Sequence, residues 1–490
     1  MFRVSDLYLL APALTVTLLA LVVMTVDLFV KRRVIIAGTA LIGLIVPAAF
    51  LIAQAVTYTK PQTAFFGMLV IDQYAIFFNI IFILIAAVMI LASYDYVGKY
   101  VKADGEFFSL MLFSVAGMMF MASTGELITI YIALELTSIP LYVMAGMLRG
   151  SAKSSEAAVK YVLLGGMSSA ILLYGFALLY GLTGTTDLVG IAQTFKTSLH
   201  DGNLLVIVAD VLIMAGFGFK ISAVPFHMWA PDIYEGAPAP ATAFFSVGSK
   251  AAGFAALIRV FIYGGLGQVN LTSLVLVIAI IAVMTMTLGN LVAAVQKNVR
   301  RMMAYSSIAQ AGYLLVGFVA SLASNNAAGN AALLFFILIY VITNLGAFGG
   351  IIALANLTGG ETVDDFRGMW KRSPLLSVCT AFCLLSLAGI PPLAGFLSKV
   401  VLFTAAWNLG QQWLVVVALL NSIVSLVYYG RLIKTMFFDE PGKTERITPT
   451  WGLSTSMVLA TAALLVLTVA VQFVLNIATP AAQSLLFLLK

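Results

Sequence analysis

The stretch GFGFKISAVPFHMW, residues 216–229, sets a lysine, a proline and a histidine into a run that is apolar from Leu204 onward. An ammonium in hydrocarbon costs roughly 2.5–3.5 kcal/mol on insertion scales. Lys220 therefore needs either an aqueous setting or a task, and the rest of the chain decides which. Hydrophobic residues make up 62% of the 490 residues and charged residues only 9%, and the mean hydropathy is +1.07. Soluble globular chains carry an apolar share of about 45–50%, so the fold class is an all-α polytopic membrane protein. The formal charge of +6 does not point to nucleic acid, because basic residues of membrane proteins gather in cytoplasmic loops and no basic, aromatic-interleaved patch is present. Leu7–Val30 is too long for a signal-peptide core and lacks a small-residue cleavage site before Lys31; it reads as the first span. Cys379 and Cys383 stand one helical turn apart in an apolar segment, a spacing that offers neither a disulfide nor a four-thiolate cluster. No metal or cofactor site is expected in this chain.

About 20 residues of helix cross the hydrocarbon core. Cutting the sequence where such apolar runs meet polar or Gly/Pro punctuation predicts about fourteen transmembrane helices, at 7–30, 34–55, 72–97, 107–122, 126–148, 156–181, 204–230, 238–263, 271–295, 301–323, 327–355, 374–407, 411–437 and 451–478. With these spans, about seventeen lysines and arginines fall on one side of the membrane, in the loops around 31–33, 99–102, 149–153, 297–301, 367–372 and 431–446. The other side holds Arg3, Lys60, Lys196 and Lys490. This asymmetry predicts both termini on the outer, periplasmic face.

Two predicted spans are too long for one straight crossing, 374–407 running roughly 50 Å at about 1.5 Å per residue. Each holds a break: Pro225, expected to remove the hydrogen bond to the Ile221 carbonyl, and Pro391–Pro392 within GIPPLAG (389–395), just before Lys399. Carbonyls freed at membrane depth are tolerated only where protein or water satisfies them. Broken helices in corresponding places of two halves point to an ion pathway built from inverted repeats. The expected organisation is three N-terminal helices over 1–106, five-helix inverted repeats at 107–263 and 271–437, and a loop with a final helix over 438–490.

The loops account for every basic residue except Lys160, Lys220, Lys250, Arg259 and Lys399, and the acid deepest in a span is Glu135, in YIALELTSIPLY. For Lys220, Lys250, Lys399 and Glu135 the bland alternative is a structural ion pair or a snorkelling stem; intramembrane ionisable groups are by default functional. Lys160 lies nearer a helix start, where snorkelling competes. Arg259 reads as an interfacial anchor. Asp210 is either a packing residue or a gate, and His227 either a loop hydrogen-bonder or a proton relay. Burial disfavours the charged form of lysine and a nearby carboxylate restores it. At an effective dielectric near 20, a pair about 4 Å apart interacts by about 4 kcal/mol, so making or breaking a Glu135–Lys220 contact would act as a proton switch, with Lys250 and Lys399 as further stations. No nucleophile elbow, phosphate loop, haem ligand pair or flavin motif accompanies them.

The segment GFGFKISAVPFHMWAPDIYEGAPAPATAFFSVGSKAAGFAALIR (216–259) resembles the antiporter-like membrane subunits of proton-pumping respiratory complex I, the NADH–quinone oxidoreductase, most closely the branch lettered N. ELTSIPLYVMAG (135–146), EAAVKYVLLGGMSSAILLYG (156–175), VRRMMAYSSIAQAGYLLVG (299–317) and LAGIPPLAGFLSKVVLF (387–403) fit the same family in order. The resemblance implies fourteen helices with two inverted repeats and one proton route, with Glu135, Lys220, Lys250 and Lys399 as its stations and Lys160 as a further lysine of the N branch. Lys399, and a chain ending soon after the fourteenth span, favour that branch over its neighbours. Asp210 matches no role of the family. The family would make this chain a proton-translocating subunit without a redox site, in a complex whose partners carry NADH, FMN, iron–sulfur clusters and quinone. It implies as neighbours the antiporter-like subunit M, the small subunit K, the lateral helix of subunit L, and lipid of the bacterial inner membrane. Two other functions fit a chain of this kind, a subunit of a multisubunit cation/proton antiporter and a structural membrane spacer.

Overall fold

An apolar segment in lipid has only its own backbone with which to satisfy its N–H and C=O groups, and helix is the consequence. The computed structural model describes residues 4–30, 32–197, 203–266, 271–324, 327–441, 446 and 448–486. Its first part holds α1 (Val4–Phe29), α2 (Arg33–Gly43), α3 (Ile45–Thr57), α4 (Gln73–Tyr96), α5 (Asp104–Ala122), α6 (Leu127–Ala145), α7 (Ala152–Thr183) and α8 (Leu188–Thr197). There follow α9 (Leu204–Ile221), α10 (Trp229–Gly236), α11 (Ala239–Phe244), α12 (Lys250–Ile258), α13 (Leu271–Val295), α14 (Val299–Ser324) and α15 (Ala327–Thr358). The last part holds α16 (Met369–Arg372), α17 (Pro374–Ala388), α18 (Ala394–Asn408), α19 (Gln412–Phe437), α20 (Trp451–Val469) and α21 (Val471–Ser484).

Among the described residues, 13 helical stretches are long and apolar enough to cross a membrane, and Pro374–Ala388 is a shorter apolar helix. Each of the fourteen predicted spans has its counterpart; the two expected to be broken, 204–230 and 374–407, are α9 with the start of α10 and α17 with α18. The predicted 34–55 and 451–478 are each two helices, joined at Leu44 and at Ala470. The predicted 238–263 is one continuous crossing, but it passes through wider π-helical turns at Phe245–Ser249 and Arg259–Tyr263, on either side of α12. The sequence reading held no strand; Gln62–Ala64 (β1) and Leu69–Ile71 (β2) pair antiparallel, Gln62 opposite Ile71. The inner helices are 239–263, α14 and α15, whose apolar windows are 100%, 94% and 89% buried, against 33–39% for 33–57, α7, α13 and α19. That difference decides which helices line an interior.

Cross-helix ion pairs gather the basic loops at one end of the bundle. Arg301 binds Asp232 at 2.8 Å and Glu235 at 3.1 Å, and Lys153 meets Glu235 at 2.8 Å. Arg300 binds Glu361, and Lys99 donates to the Asn356 carbonyl at 2.6 Å. The loop after α15 is held against the start of α14 by Val299 N to Glu361 O, 2.8 Å, and Val363 N to Lys297 O, 2.9 Å. Of the basic residues assigned to the two sides, Lys31 and Lys443 on this one and Arg3 and Lys490 on the other lie outside the described residues.

Arg259 is not the interfacial anchor that its position near a span end indicated. It is 0% exposed, its two terminal nitrogens clasp both oxygens of Asp72 at 2.6 and 3.0 Å, and one also donates to the Ala122 carbonyl at 2.7 Å. The guanidinium lies 4.8 Å from the Tyr74 ring and 5.2 Å from the Tyr263 ring. Asp72 in turn caps α4 by accepting from Ala75 N at 2.8 Å. The terminal nitrogens of the planar fork find their partners inside the protein, which removes their reason to reach for water, while Nε is buried without a hydrogen bond. Removing one partner of such a pair strands the other charge and costs about 3–5 kcal/mol. Asp72→Asn and Arg259→Met should accordingly lower the thermal midpoint and the yield of the purified protein, and wild-type values for both would rule out the pair as a support of the fold.

Candidate functional site

Five polar or charged side chains lie close to the middle of their helices: Glu135 in α6, Lys250 in the 239–263 crossing, Ser307 and Gln310 in α14, and Tyr340 in α15. Lys220 shares this depth although it stands near the end of α9. Ser168, at the centre of the 32-residue α7, donates to the Gly216 carbonyl one turn before Lys220 at 3.2 Å.

α9 stops at Ile221 because Ser222 turns left-handed, with φ 61°. The helix thus ends ahead of Pro225, which lies in the connecting loop and is not the residue that interrupts the ladder. The disfavour of α conformation before a proline extends the break past Val224. Ala223 N returns to the Gly218 carbonyl at 2.8 Å, Val224 N finds Thr285 Oγ1 at 3.0 Å, and the Phe219 carbonyl accepts from Trp229 Nε1 at 2.8 Å. His227 sits in this loop; its carbonyl caps Ala230 N at 3.0 Å, while its Nδ1 is buried without a hydrogen bond. Lys220 is 5% exposed and its Nζ donates to Ser138 Oγ at 2.7 Å. The expected Glu135–Lys220 ion pair is not closed in this conformation: Ser138, one turn along α6, takes the ammonium, and Glu135 Oε1 is buried with no hydrogen bond.

The stem of Lys220 packs on α12. A Cβ placed on Gly253 would meet Lys220 Cγ at 3.1 Å, and Gly253 is one turn beyond Lys250. Lys250, 2% exposed, donates to the Ser307 carbonyl and to Ser307 Oγ, the latter at 2.5 Å. Ser307 Oγ and Tyr340 OH are 2.9 Å apart, and Tyr340 OH donates to the Ser246 carbonyl at 2.9 Å. Ser246 lies in the π-helical turn just before Lys250, where the widened ladder leaves its carbonyl open to a side chain. Asn344 Nδ2 donates to Ser246 Oγ at 2.6 Å.

The second break follows the same rule. α17 ends at Ala388 with Gly389 at φ 82°, and Pro391 and Pro392 lie in the loop before α18. Lys399 reaches back from α18, 5% exposed, and donates to the freed carbonyls of Leu387 at 3.3 Å and Ala388 at 3.1 Å and to Ser422 Oγ at 2.9 Å. A cation at the carbonyl end of a helix is favoured by the helix dipole. Gln310 Nε2 shares the Leu387 carbonyl at 3.1 Å, and the Lys399 ammonium sits 4.9 Å over the Tyr313 ring. Tyr313 is bonded to Asn290 at 3.0 Å, and Asn290 accepts from Tyr428 at 3.1 Å. One face of α14, carrying Ser307, Gln310 and Tyr313, therefore joins Lys250 to Lys399.

Lys160 stands apart from this buried line. Its side chain is 39% exposed and bridges Glu156 at 2.7 Å and Asp232 at 2.6 Å. α7 offers its outer face there, and a long stem reaches acids at the basic end more readily than it enters the interior. Asp210 is buried on α9 but two to three turns from Lys220. Cys379 and Cys383 are buried free thiols. The partners Ser138, Ser307, Gln310, Tyr340 and Ser422 escaped sequence reading. The signal for those on α14 was SSIAQAGY (306–313), polar residues at helical spacing in an otherwise apolar crossing. Hydroxyls donate and accept at once, so the serines that seat Lys220, Lys250 and Lys399 can bind each amine in its charged or its neutral form.

A family model described as "NADH:quinone oxidoreductase/Mrp antiporter, TM" matches residues 124–425. The chain is 42% identical over 475 residues to "NADH-quinone oxidoreductase subunit N 2" of Symbiobacterium thermophilum, covering 94% of this chain and 93% of that one. Among solved structures it is similar to a chain of respiratory complex I from Thermus thermophilus, with a TM-score of 0.78 and 32% identity over 95% of this chain and 98% of the other. It is similar also to a chain of the membrane-bound sulfane sulfur reductase, an archaeal respiratory membrane complex, with a TM-score of 0.87 and 28% identity over 99% and 98%.

Gly389 is required twice, for its positive φ and because a Cβ there would lie 3.0 Å from Lys399 Nζ. Gly389→Ala should destabilise the protein by about 1–2 kcal/mol through the left-handed backbone alone and push the ammonium off the Leu387 and Ala388 carbonyls. Thermal unfolding together with a structure of the variant checks both, and an unmoved Lys399 with an unchanged midpoint would show that the glycine is dispensable.

Proposed function

Because this chain belongs to the NADH:quinone oxidoreductase/Mrp antiporter membrane family, we propose that it is a proton-translocating membrane-arm subunit of an NADH–quinone oxidoreductase, the counterpart of subunit N. It carries no redox site of its own; NADH, FMN, iron–sulfur clusters and quinone belong to partner subunits. The observation that carries this reading is the series of buried lysines at mid-depth, each seated on hydroxyls or freed carbonyls: Lys220 on Ser138, Lys250 on Ser307, and Lys399 on Leu387, Ala388 and Ser422, with Ser307 and Gln310 of the single helix α14 touching the seats of the last two.

In this reading Glu135 sets the charge state of Lys220 by approaching or leaving it, Lys250 is the central station and Lys399 the terminal one. An opposite charge drawing to within about 4–6 Å favours the charged amine, and its departure favours release. Since the Lys220 ammonium rests on Ser138 with Glu135 one turn away, a modest shift of α6 against α9 exchanges one partner for the other. Lys160, tied to Asp232 at the basic end, regulates access to Lys220 and is not itself a buried station. His227 is accessory, a polar group in the loop of the first break. The functional units are the repeats 107–263 and 271–437, each with its broken helix, preceded by the helices of 1–106 and followed by 438–490. The chain sits in the bacterial inner membrane with both termini on the periplasmic side and the ion-paired basic end in the cytoplasm. Its neighbours are subunits M and K, the lateral helix of L, and lipid.

The test is Lys220→Ala in the assembled complex reconstituted in vesicles. Quinone-dependent proton uptake should fall to background while the complex still assembles. Undiminished pumping per electron would refute the proposal, and copurification without NADH-oxidising, iron–sulfur-containing subunits would redirect it to a cation/proton antiporter.

A further inference from the structure

The line from Lys220 to Lys399 runs in the plane of the membrane, so a proton on it must still reach water at one face. α9 contains two titratable side chains, Lys220 and Asp210. Asp210 is 3% exposed. Its Oδ1 is buried without a hydrogen bond, and no ion pair reaches it among the described residues. Burying a carboxyl group without a partner is costly, so its presence here calls for a use. Asp72 and Glu126, the other acids buried on this side of mid-depth among the described residues, have evident structural duties: Asp72 is held by Arg259 and by its cap at Ala75 N, and Glu126 caps α6 by accepting from Thr129 N and Oγ1. Asp210 has none: its companions on the inward face of α9, Val206, Ile213 and Phe217, are apolar, and leucine would fill the same space without an unpaired polar group.

Position supplies the second argument. Asp210 and Lys220 both lie on the buried face of α9, separated by about 15 Å along the helix, and Asp210 is on the side of Lys220 that leads to Leu204, away from the ion-paired basic end. Phe217 lies between them on the same helix, its ring 6.5 Å from that of Phe176 on α7.

We propose that Asp210 is a proton-transfer residue linking Lys220 to the face of the membrane opposite the basic end. Lys220 gives up a proton and becomes a neutral amine; Asp210, as carboxylate, takes it and becomes the carboxylic acid, then releases it to water and returns to carboxylate. The Phe176–Phe217 pair is the apolar closure that parts to admit water between the two groups. This inference rests on the role of Lys220 proposed above.

The experiment uses the assembled complex in vesicles, with Asp210→Asn, Asp210→Glu and, as reference, Lys220→Ala. We expect Asp210→Asn to lose at least about three-quarters of its pumping per electron, a threshold set by general acid–base effects that are typically larger. Its thermal midpoint should be equal or higher, since an unpaired buried acid destabilises. Asp210→Glu should restore most of the pumping. Infrared difference spectra should show a protonated-carboxyl C=O band that shifts in Asp210→Glu, a readout that does not need the asparagine variant to assemble. Full pumping by Asp210→Asn beside a dead Lys220→Ala overturns the inference and leaves the wider reading intact. A lowered midpoint with no such band overturns it in favour of packing. Full pumping by Lys220→Ala overturns both.

Discussion

A carbonyl freed at the centre of a bilayer has no water to turn to, and this shortage organises the interior of the protein. Both broken helices end on a left-handed residue and leave carbonyls that must be met by donors from elsewhere. The indole of Trp229 meets that of Phe219, and Lys399 with Gln310 meets those of Leu387 and Ala388. The donors arrive on other helices, so satisfying the backbone also pulls α10, α14 and α18 into register around the breaks. The same vacant acceptors that make a break expensive make it a seat for an ammonium, because the carbonyl end of a helix already favours positive charge.

The buried cations divide by the company they keep. Arg259 is clasped by a carboxylate, a carbonyl and two aromatic rings, and arginine does not give up its proton in proteins; it is a fixture. Lys220, Lys250 and Lys399 have no carboxylate within ion-pair distance among the described residues and rest on hydroxyls and carbonyls. Lysine shifts readily between charged and neutral forms when buried, and neutral partners do not pin it to either. One membrane interior thus contains both a charge fixed by an ion pair and amines seated on neutral groups alone.

The sequence made the charges legible and their surroundings much less so. A lysine in a 20-residue apolar run is conspicuous because insertion is costly, which is why Lys220, Lys250, Lys399 and Glu135 stood out. Ser138, Ser307 and Tyr340 did not, since serine and tyrosine in a membrane helix usually bond their own backbone or pack, and only tertiary contact separates the two uses. Arg259 was misread because its distance from a helix end says nothing about Asp72, 187 positions away in the chain. For Lys160 the snorkelling and interior readings both stood open, because spacing does not tell which face of α7 looks outward. The prolines announced the breaks, but the helices stop earlier, at Ser222 and Gly389, since proline restricts the residues ahead of it as well as itself.

At the basic end, Arg301 grips Asp232 and Glu235 together, so α10 cannot slide without carrying the first turn of α14 with it. Further along that same rigid rod, Ser307 holds Lys250 and Gln310 holds the carbonyl beneath Lys399. The arrangement has the form of a crankshaft: one rod, anchored at the basic end, touches the seats of two separate amines, that of Lys250 directly and that of Lys399 through a shared carbonyl.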